Sequence, residues 1–369
     1  MAIIILGAGA TRGASFAQDA ACKPPLDSDF FTQLQRVRQG KHRGLVDKVV
    51  QDAIELFGVN FKATLETAFT TLEHTRNIIT TTGETKSFKR SQLTEKRDRL
   101  LQALAAVFEE SLCVGHSHRM KRCGYHDALV GMLREGDTII SFNYDCTIDD
   151  SLRRLGHSKW NPRYGYLLPL GKGHKTLPGE EHWSPRGERV EKRRTIRLLK
   201  LHGSMHFKEY KDRDQTRVLL KDRPYTKQRG GLQFTIVPPE SDKPNYTKSF
   251  FPCLWRMAAR ELQRATTIAV IGYSVPATDM YASALFRVAV KGQGLHNLVV
   301  ANPDAEARRR IREIFKLGLS QQTKVFSFDS FEQFVGVERD LWDRDLAHPQ
   351  PSRVHTEERV TLIERMLLA

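Results

Sequence analysis

Four short apolar runs constrain this chain more than any other feature: AIIIL (2–6), DTIISFN (137–143), TIAVIGY (267–273) and NLVVAN (297–302). Each ends in or runs straight into a small or polar residue, and stretches with helical apolar spacing lie between them. Strands without polar alternation are buried on both faces, and their alternation with helices specifies a parallel sheet covered on both sides. KVFSF (324–328) reads as a further strand, following the basic helix DAEARRRIREIFKLG (304–318). The expectation is an α/β fold. Ligands of such sheets bind beyond the carboxyl ends of the strands, where Gly7, Asn143, Gly272 and Asn302 all fall.

About 130 residues separate the first two runs, too many for one crossover helix. GLVDKVVQDAIELFG (44–58) and KRDRLLQALAAVFEESL (96–112) carry helical spacing, so a helical insertion is expected over about 32–135. Within it, NIITTTGETKSFKRSQ (77–92) is rich in Thr, Ser and Lys and reads as an exposed loop. A long basic excursion with little periodicity follows at about 156–196. The main domain then spans 1–336, and 337–369 is a tail whose last part, HTEERVTLIERMLLA (355–369), has helical spacing. That tail packs on its own domain or docks on another subunit or partner.

The 58 Lys and Arg outnumber the 43 Asp and Glu, for a formal charge of +15. Such an excess suits polyanionic partners or simply a soluble basic protein. Cys22, Cys113, Cys123, Cys146 and Cys253 form no CxxC pair, and an odd count excludes a complete disulfide framework. With no secretory leader and no run approaching the ~20 apolar residues of a membrane span, the expectation is a cytoplasmic protein without membrane contact.

Three clusters could carry chemistry. Gly7, Gly9 and Gly13 follow the first run directly, as G-x-G-x-x-x-G, where helix-start amides can meet a phosphate. SFNYD (141–145) sets Asn143 and Asp145 two residues apart, able to grip one ribose or carboxamide, or to form a turn or helix cap. LLKLHGS (198–204) delivers His202 at a strand end, where a neutral imidazole can accept a proton. His116, His118, His174 and His182 read as surface residues. His202 and His206 stand four apart, but a strand-like context without further ligands does not make a metal site. No G-x-S-x-G elbow supports a serine nucleophile.

In order along the chain, GAGAT, SFNYD, LHGS, GYS and ANP resemble the motif series of sirtuin-like NAD-binding proteins. The resemblance implies a Rossmann-like sheet with the helical insertion, and NAD+ as substrate. The two CxxC pairs that hold the structural zinc of sirtuin deacylases are absent, and KPPLDSDFF (23–31) replaces the deacylase Gly-Ile-Pro-x-Phe-Arg. That version is similar to the sirtuin-like domains of bacterial anti-phage systems, which hydrolyse NAD+.

By that resemblance, Asn143 positions the nicotinamide ribose or the attacking water, Asp145 holds the carboxamide, and His202 accepts a proton. Gly7, Ala8, Gly9, Thr11 and Arg12 lie on the phosphate side. Gly272, Ser274 and Asn302 form the adenosine side, and Asp27 and Phe30 belong to a flap. The implied function is an NAD+ glycohydrolase that acts in anti-phage defence by depleting NAD+, with no metal. The implied assembly is a homo-oligomer paired with a HerA-type hexameric ATPase, or alternatively with a short Argonaute, nucleic acid being reached through the partner. Two rival readings remain: an NAD+ or ADP-ribose sensor without turnover, and a nucleic-acid-binding or nuclease component suggested by RGERVEKRRTIR (186–197).

Overall fold

A computed structural model of the chain describes residues 1–37, 42–84, 89–115, 119–168, 179–185, 195–212, 215–225, 234–239 and 249–336. The strands are β1 (Ala2–Leu6), β2 (Thr138–Ser141), β3 (Arg197–Lys200), β4 (Gly203–Ser204), β5 (Phe207–Asp212), β6 (Gln215–Leu220), β7 (Thr235–Ile236), β8 (Thr267–Ile271), β9 (Asn297–Ala301) and β10 (Lys324–Phe328). Six of them form one sheet in the order β10-β9-β8-β1-β2-β3, every neighbouring pair parallel. Counted along the chain within that sheet, the order is 3-2-1-4-5-6, that of the Rossmann fold. The expected α/β architecture is therefore present. Every residue of β1, β2, β8 and β9 is buried, which is why these runs lack polar alternation, whereas the edge strand β10 is largely exposed.

The helices are α1 (Ala8–Arg12), α2 (Phe30–Arg36), α3 (Arg43–Phe57), α4 (Leu65–Thr82), α5 (Arg90–Leu112), α6 (Gly124–Met132), α7 (Thr147–Leu155), α8 (Pro162–Gly165), α9 (Glu180–Trp183), α10 (Phe251–Leu262), α11 (Met280–Ala289), α12 (Ala305–Phe315) and α13 (Phe331–Gly336). Two groups flank the sheet: α6 packs on α7 and α13, while α10, α11 and α12 pack in succession. Their side chains share one hydrophobic core with the strands.

A second core belongs to the long connection between β1 and β2. There α2, α3, α4 and α5 bury Phe30, Phe69, Leu104 and Val107 against one another. The insertion is thus a helical layer from Phe30 to Leu112, while α6 contributes Leu129 and Val130 to the core of the sheet. The loop expected over 77–92 is shorter than its composition suggested. α4 runs through to Thr82, with Thr80, Thr81 and Thr82 each satisfying a hydroxyl on the carbonyl four residues earlier, and α5 begins at Arg90. Polar composition alone does not end a helix.

The excursion at 156–196 is anchored by the fully buried rings of Trp160, Tyr166 and Trp183. Its residues 169–178 and 186–194, and with them most of the basic stretch 186–197, lie outside the described residues, as does the tail 337–369. No helix among the described residues is long and apolar enough to cross a membrane.

Candidate active site at the strand ends

The order of the six strands reverses between β1 and β8, and their carboxyl ends meet through glycine. Gly272 has φ +60°, and a Cβ there would stand 2.0 Å from the Ala10 nitrogen. A Cβ on Gly7 would come within 2.4 Å of Tyr273 Cα, and one on Gly9 within 2.7 Å of the Gly272 oxygen. Backbone bonds complete the join: Gly7 N donates to Ile271 O (3.1 Å), Gly9 N to Gly272 O (2.8 Å) and Gly272 N to Ala301 O (2.8 Å). Gly7 and Gly9 therefore permit close approach of two turns, and their own amides are committed to it. Ala8, at the start of α1, is exposed.

Thr11 points the other way, to the end of β2. Its Oγ1 donates to Asp145 Oδ2 (2.9 Å) and accepts from Asn143 Nδ2 (3.2 Å). The second oxygen of Asp145 accepts from Thr147 N (2.9 Å), the turn chemistry that starts α7. Asn143 Oδ1 is buried and has no hydrogen-bond partner among the described residues. A buried amide oxygen without a donor is costly, and such atoms merit a chemical explanation.

Beneath this turn lies a buried ion pair. Lys200, the last residue of β3, donates its Nζ to the Asp145 carbonyl and to Asp149 Oδ2 (2.8 Å), with neither side chain exposed. Burial pushes the ammonium pKa down, but the Asp149 carboxylate and its neighbours outweigh it and hold the pKa above the ordinary lysine range. The charge that pins the turn is thus retained.

His202 follows on from β3. Gly203, at φ +77°, then turns the chain so closely onto β7 that a Cβ would meet the Thr235 oxygen at 2.2 Å. The His202 ring is nearly buried, edge-to-face with Phe142 (centroids 5.0 Å apart) and 6.1 Å from the Tyr144 ring. Its Nε2 lies 3.6 Å from Asp279 Oδ2. His206 is different. Its Nδ1 meets Ser204 Oγ (2.8 Å) and Cys146 Sγ (3.1 Å), and its Nε2 meets Tyr166 Oη (3.1 Å). Burial, then the nearby Lys200 and Lys221 charges, drives its pKa well below the usual histidine value, so His206 stays neutral inside a packed network.

The other expected residues fall into two groups. Ser274 and Asn302 stand at the ends of β8 and β9. The Ser274 carbonyl accepts from Arg310 Nε (3.0 Å), and Asn302 Oδ1 accepts from Asp304 N (3.0 Å) at the start of α12. Arg12, Asp27 and Phe30 instead bind the segment after α1 to the helical layer. Arg12 pairs with Asp29 (2.6 Å) and donates to Pro24 O (2.9 Å), Asp27 Oδ1 accepts from Glu66 N (2.7 Å) at the start of α4, and Phe30 is fully buried in the helical core. His182 is exposed, while His116, His118 and His174 lie outside the described residues.

Four contributors were not singled out from sequence: Phe142, Lys200, Tyr273 and Asp279. The Tyr273 ring stacks on Phe142 (centroids 4.2 Å, planes 13° apart), and its hydroxyl donates to Asp279 Oδ2 (2.5 Å). A lysine within the apolar LLKLHG was the one available signal for Lys200, because a charge in a buried strand requires a partner. No protein-family model matches this chain, and no curated protein matches it.

Proposed function

We propose that this chain is an NAD+ glycohydrolase, cleaving NAD+ with water to nicotinamide and ADP-ribose. The observation that carries the reading is the Asn143 amide, whose buried Oδ1 has no donor among the described residues, while Thr11 ties its Nδ2 to the same hydroxyl that binds Asp145. Its setting supports the reading: a sheet of Rossmann order, a glycine-sewn switch point and a histidine at the end of the neighbouring strand. A ribose hydroxyl or a water molecule supplies the donor that Asn143 Oδ1 lacks. The exposed start of α1 at Ala8 supports placing the phosphates there, beside the turn that Gly7 and Gly9 hold against Gly272.

In the reaction the water oxygen bonds to the ribose C1′ as the C1′–N bond to nicotinamide breaks. Nicotinamide leaves neutral with the bond's electron pair, and the water's proton passes to His202 and then to solvent. The transition state resembles an oxocarbenium ion, so rate comes from positioning and electrostatics. Asn143 orients the ribose or the water, Asp145 holds the carboxamide, and Ser274 and Asn302 flank the adenosine. The order of motifs supports a role as effector of anti-phage defence through NAD+ depletion, in a homo-oligomer controlled by a HerA-type ATPase.

The test is to incubate the purified chain with NAD+, with and without that ATPase, and to follow nicotinamide and ADP-ribose. Asn143→Ala and His202→Ala are expected to keep their melting temperatures and to lose about a hundredfold or more in rate. Unaltered rates overturn the site, and tight NAD+ binding without nicotinamide release assigns a sensor instead.

A further inference from the structure

Asp279 opens α11, a position where aspartate ordinarily caps the helix with its own carboxylate. Here that carboxylate makes no cap bond. It is turned inward and almost completely buried, accepting the Tyr273 hydroxyl at Oδ2 and facing His202 Nε2 at 3.6 Å. A carboxylate that forgoes a cap and gives up water must be offset by what it meets instead. The arrangement around it is stiff. The Tyr273 ring lies flat on Phe142, and the Phe142 ring in turn stands edge-to-face with His202.

We infer that Asp279, held by Tyr273, is a positioning residue for His202, fixing its tautomer and offsetting the charge it gains on taking up a proton. A carboxylate opposite Nε2 favours the proton on that nitrogen and leaves the lone pair on Nδ1, the atom then able to act as a base. When Nδ1 takes the proton from water, the imidazolium stands beside a negative charge already in place. This is the logic of a base oriented by a third group, reached here from a different strand and helix. The catalytic part of the inference rests on the proposed NAD+ hydrolysis. The tautomer part does not.

The experiment uses the full chain and Asp279→Asn, which keeps an oxygen acceptor for the Tyr273 hydroxyl while it removes the charge and exchanges the other oxygen for an amide group. The expected result is a loss of about tenfold or more in kcat, with KM, melting temperature and ADP-ribose affinity as in the unaltered protein. Tyr273→Phe is expected to lower kcat in the same direction by less. Independently of turnover, 15N NMR of histidine-labelled protein, assigned with His202→Gln, is expected to show the Nε2–H tautomer at His202 and a changed population in Asp279→Ala, which removes the acceptor that faces Nε2. An unchanged kcat in Asp279→Asn, or an unchanged His202 tautomer in Asp279→Ala, overturns the inference. If the unaltered chain releases no nicotinamide, the proposed hydrolysis fails by itself, and the NMR comparison still decides whether Asp279 orients His202.

Discussion

At Gly272 a single methyl group decides whether β1 and β8 can end side by side. Its φ of +60° is a conformation that costs an L-residue roughly 1–2 kcal/mol, and the added Cβ would also overlap the backbone of Gly9 and Ala10. Neither obstacle is the yielding end of a side chain. Gly272→Ala is therefore expected to destabilise the protein by about 3 kcal/mol or more in urea unfolding. Gly44 is the control. It is exposed in the first turn of α3 with nothing within 4 Å of an added Cβ, so Gly44→Ala is expected to raise stability by about 0.4–1 kcal/mol. A comparable loss in both variants sinks the close-approach account. The contrast also marks how far the residues of the site were legible. The run of glycines after β1 announced a tight turn, but its amides serve Ile271 and Gly272, residues no local pattern could pair with it. Asp279 was not legible as part of the site for the same reason: its partners, His202 and Tyr273, come from other parts of the fold.

Between elements, the joint of α3 and α5 shows how charge fixes the helical layer. Asp52 on α3 accepts from Lys96 Nζ (2.8 Å) and from Arg99 Nε (2.7 Å) and Nη2 (2.9 Å) on α5. Burial pushes the Asp52 pKa up, but the hydrogen bonds from Arg99 and Lys96 and their charges outweigh it and hold it below the ordinary carboxylate value. For a depressed carboxyl, the stabilisation is complete above the pKa of the unfolded chain and is lost as pH falls through the lower folded value. Asp52→Asn is accordingly expected to cost about 2 kcal/mol at pH 7, within the range for charged hydrogen bonds that are partly shielded from water. The gap to the unaltered protein should close below about pH 4, where the unfolded carboxyl is protonated. A gap independent of pH in paired denaturation series would mean that packing, not charge, joins the helices. The two helices themselves were legible, since their apolar residues recur at helical spacing over many turns. The end of α4 was not, because threonines that satisfy their hydroxyls within the helix look, in sequence, like a polar loop.

Across the whole molecule, the candidate site lies on the seam between two cores. Successive residues at the end of β2 divide between them: Phe142 packs in the core of the sheet, and Tyr144 packs against the helical layer with its hydroxyl on Val237 O (2.7 Å). Asn143 is the residue between them in the chain, and its amide turns to Thr11. The strands of the parallel sheet and their carboxyl ends were legible because buried parallel strands leave uninterrupted apolar runs, whereas the two-stranded pairs β4–β7 and β5–β6 were not. Their spatial order, and the second core that helices from Phe30 to Leu112 build beside them, depend on pairings that a linear pattern does not encode. Two cores imply that one can loosen before the other. Phe69 is fully buried at the centre of the helical layer, and Phe69→Ala should cost about 3–5 kcal/mol through lost burial and the cavity left behind. That cost should fall on one layer. Amide exchange should rise across α3, α4 and α5 while β1, β8 and β9 keep their protection. Exchange that rises equally in β1, β8 and β9 would show instead that the layers unfold as one, and that the helical insertion is part of the sheet's own cooperative unit.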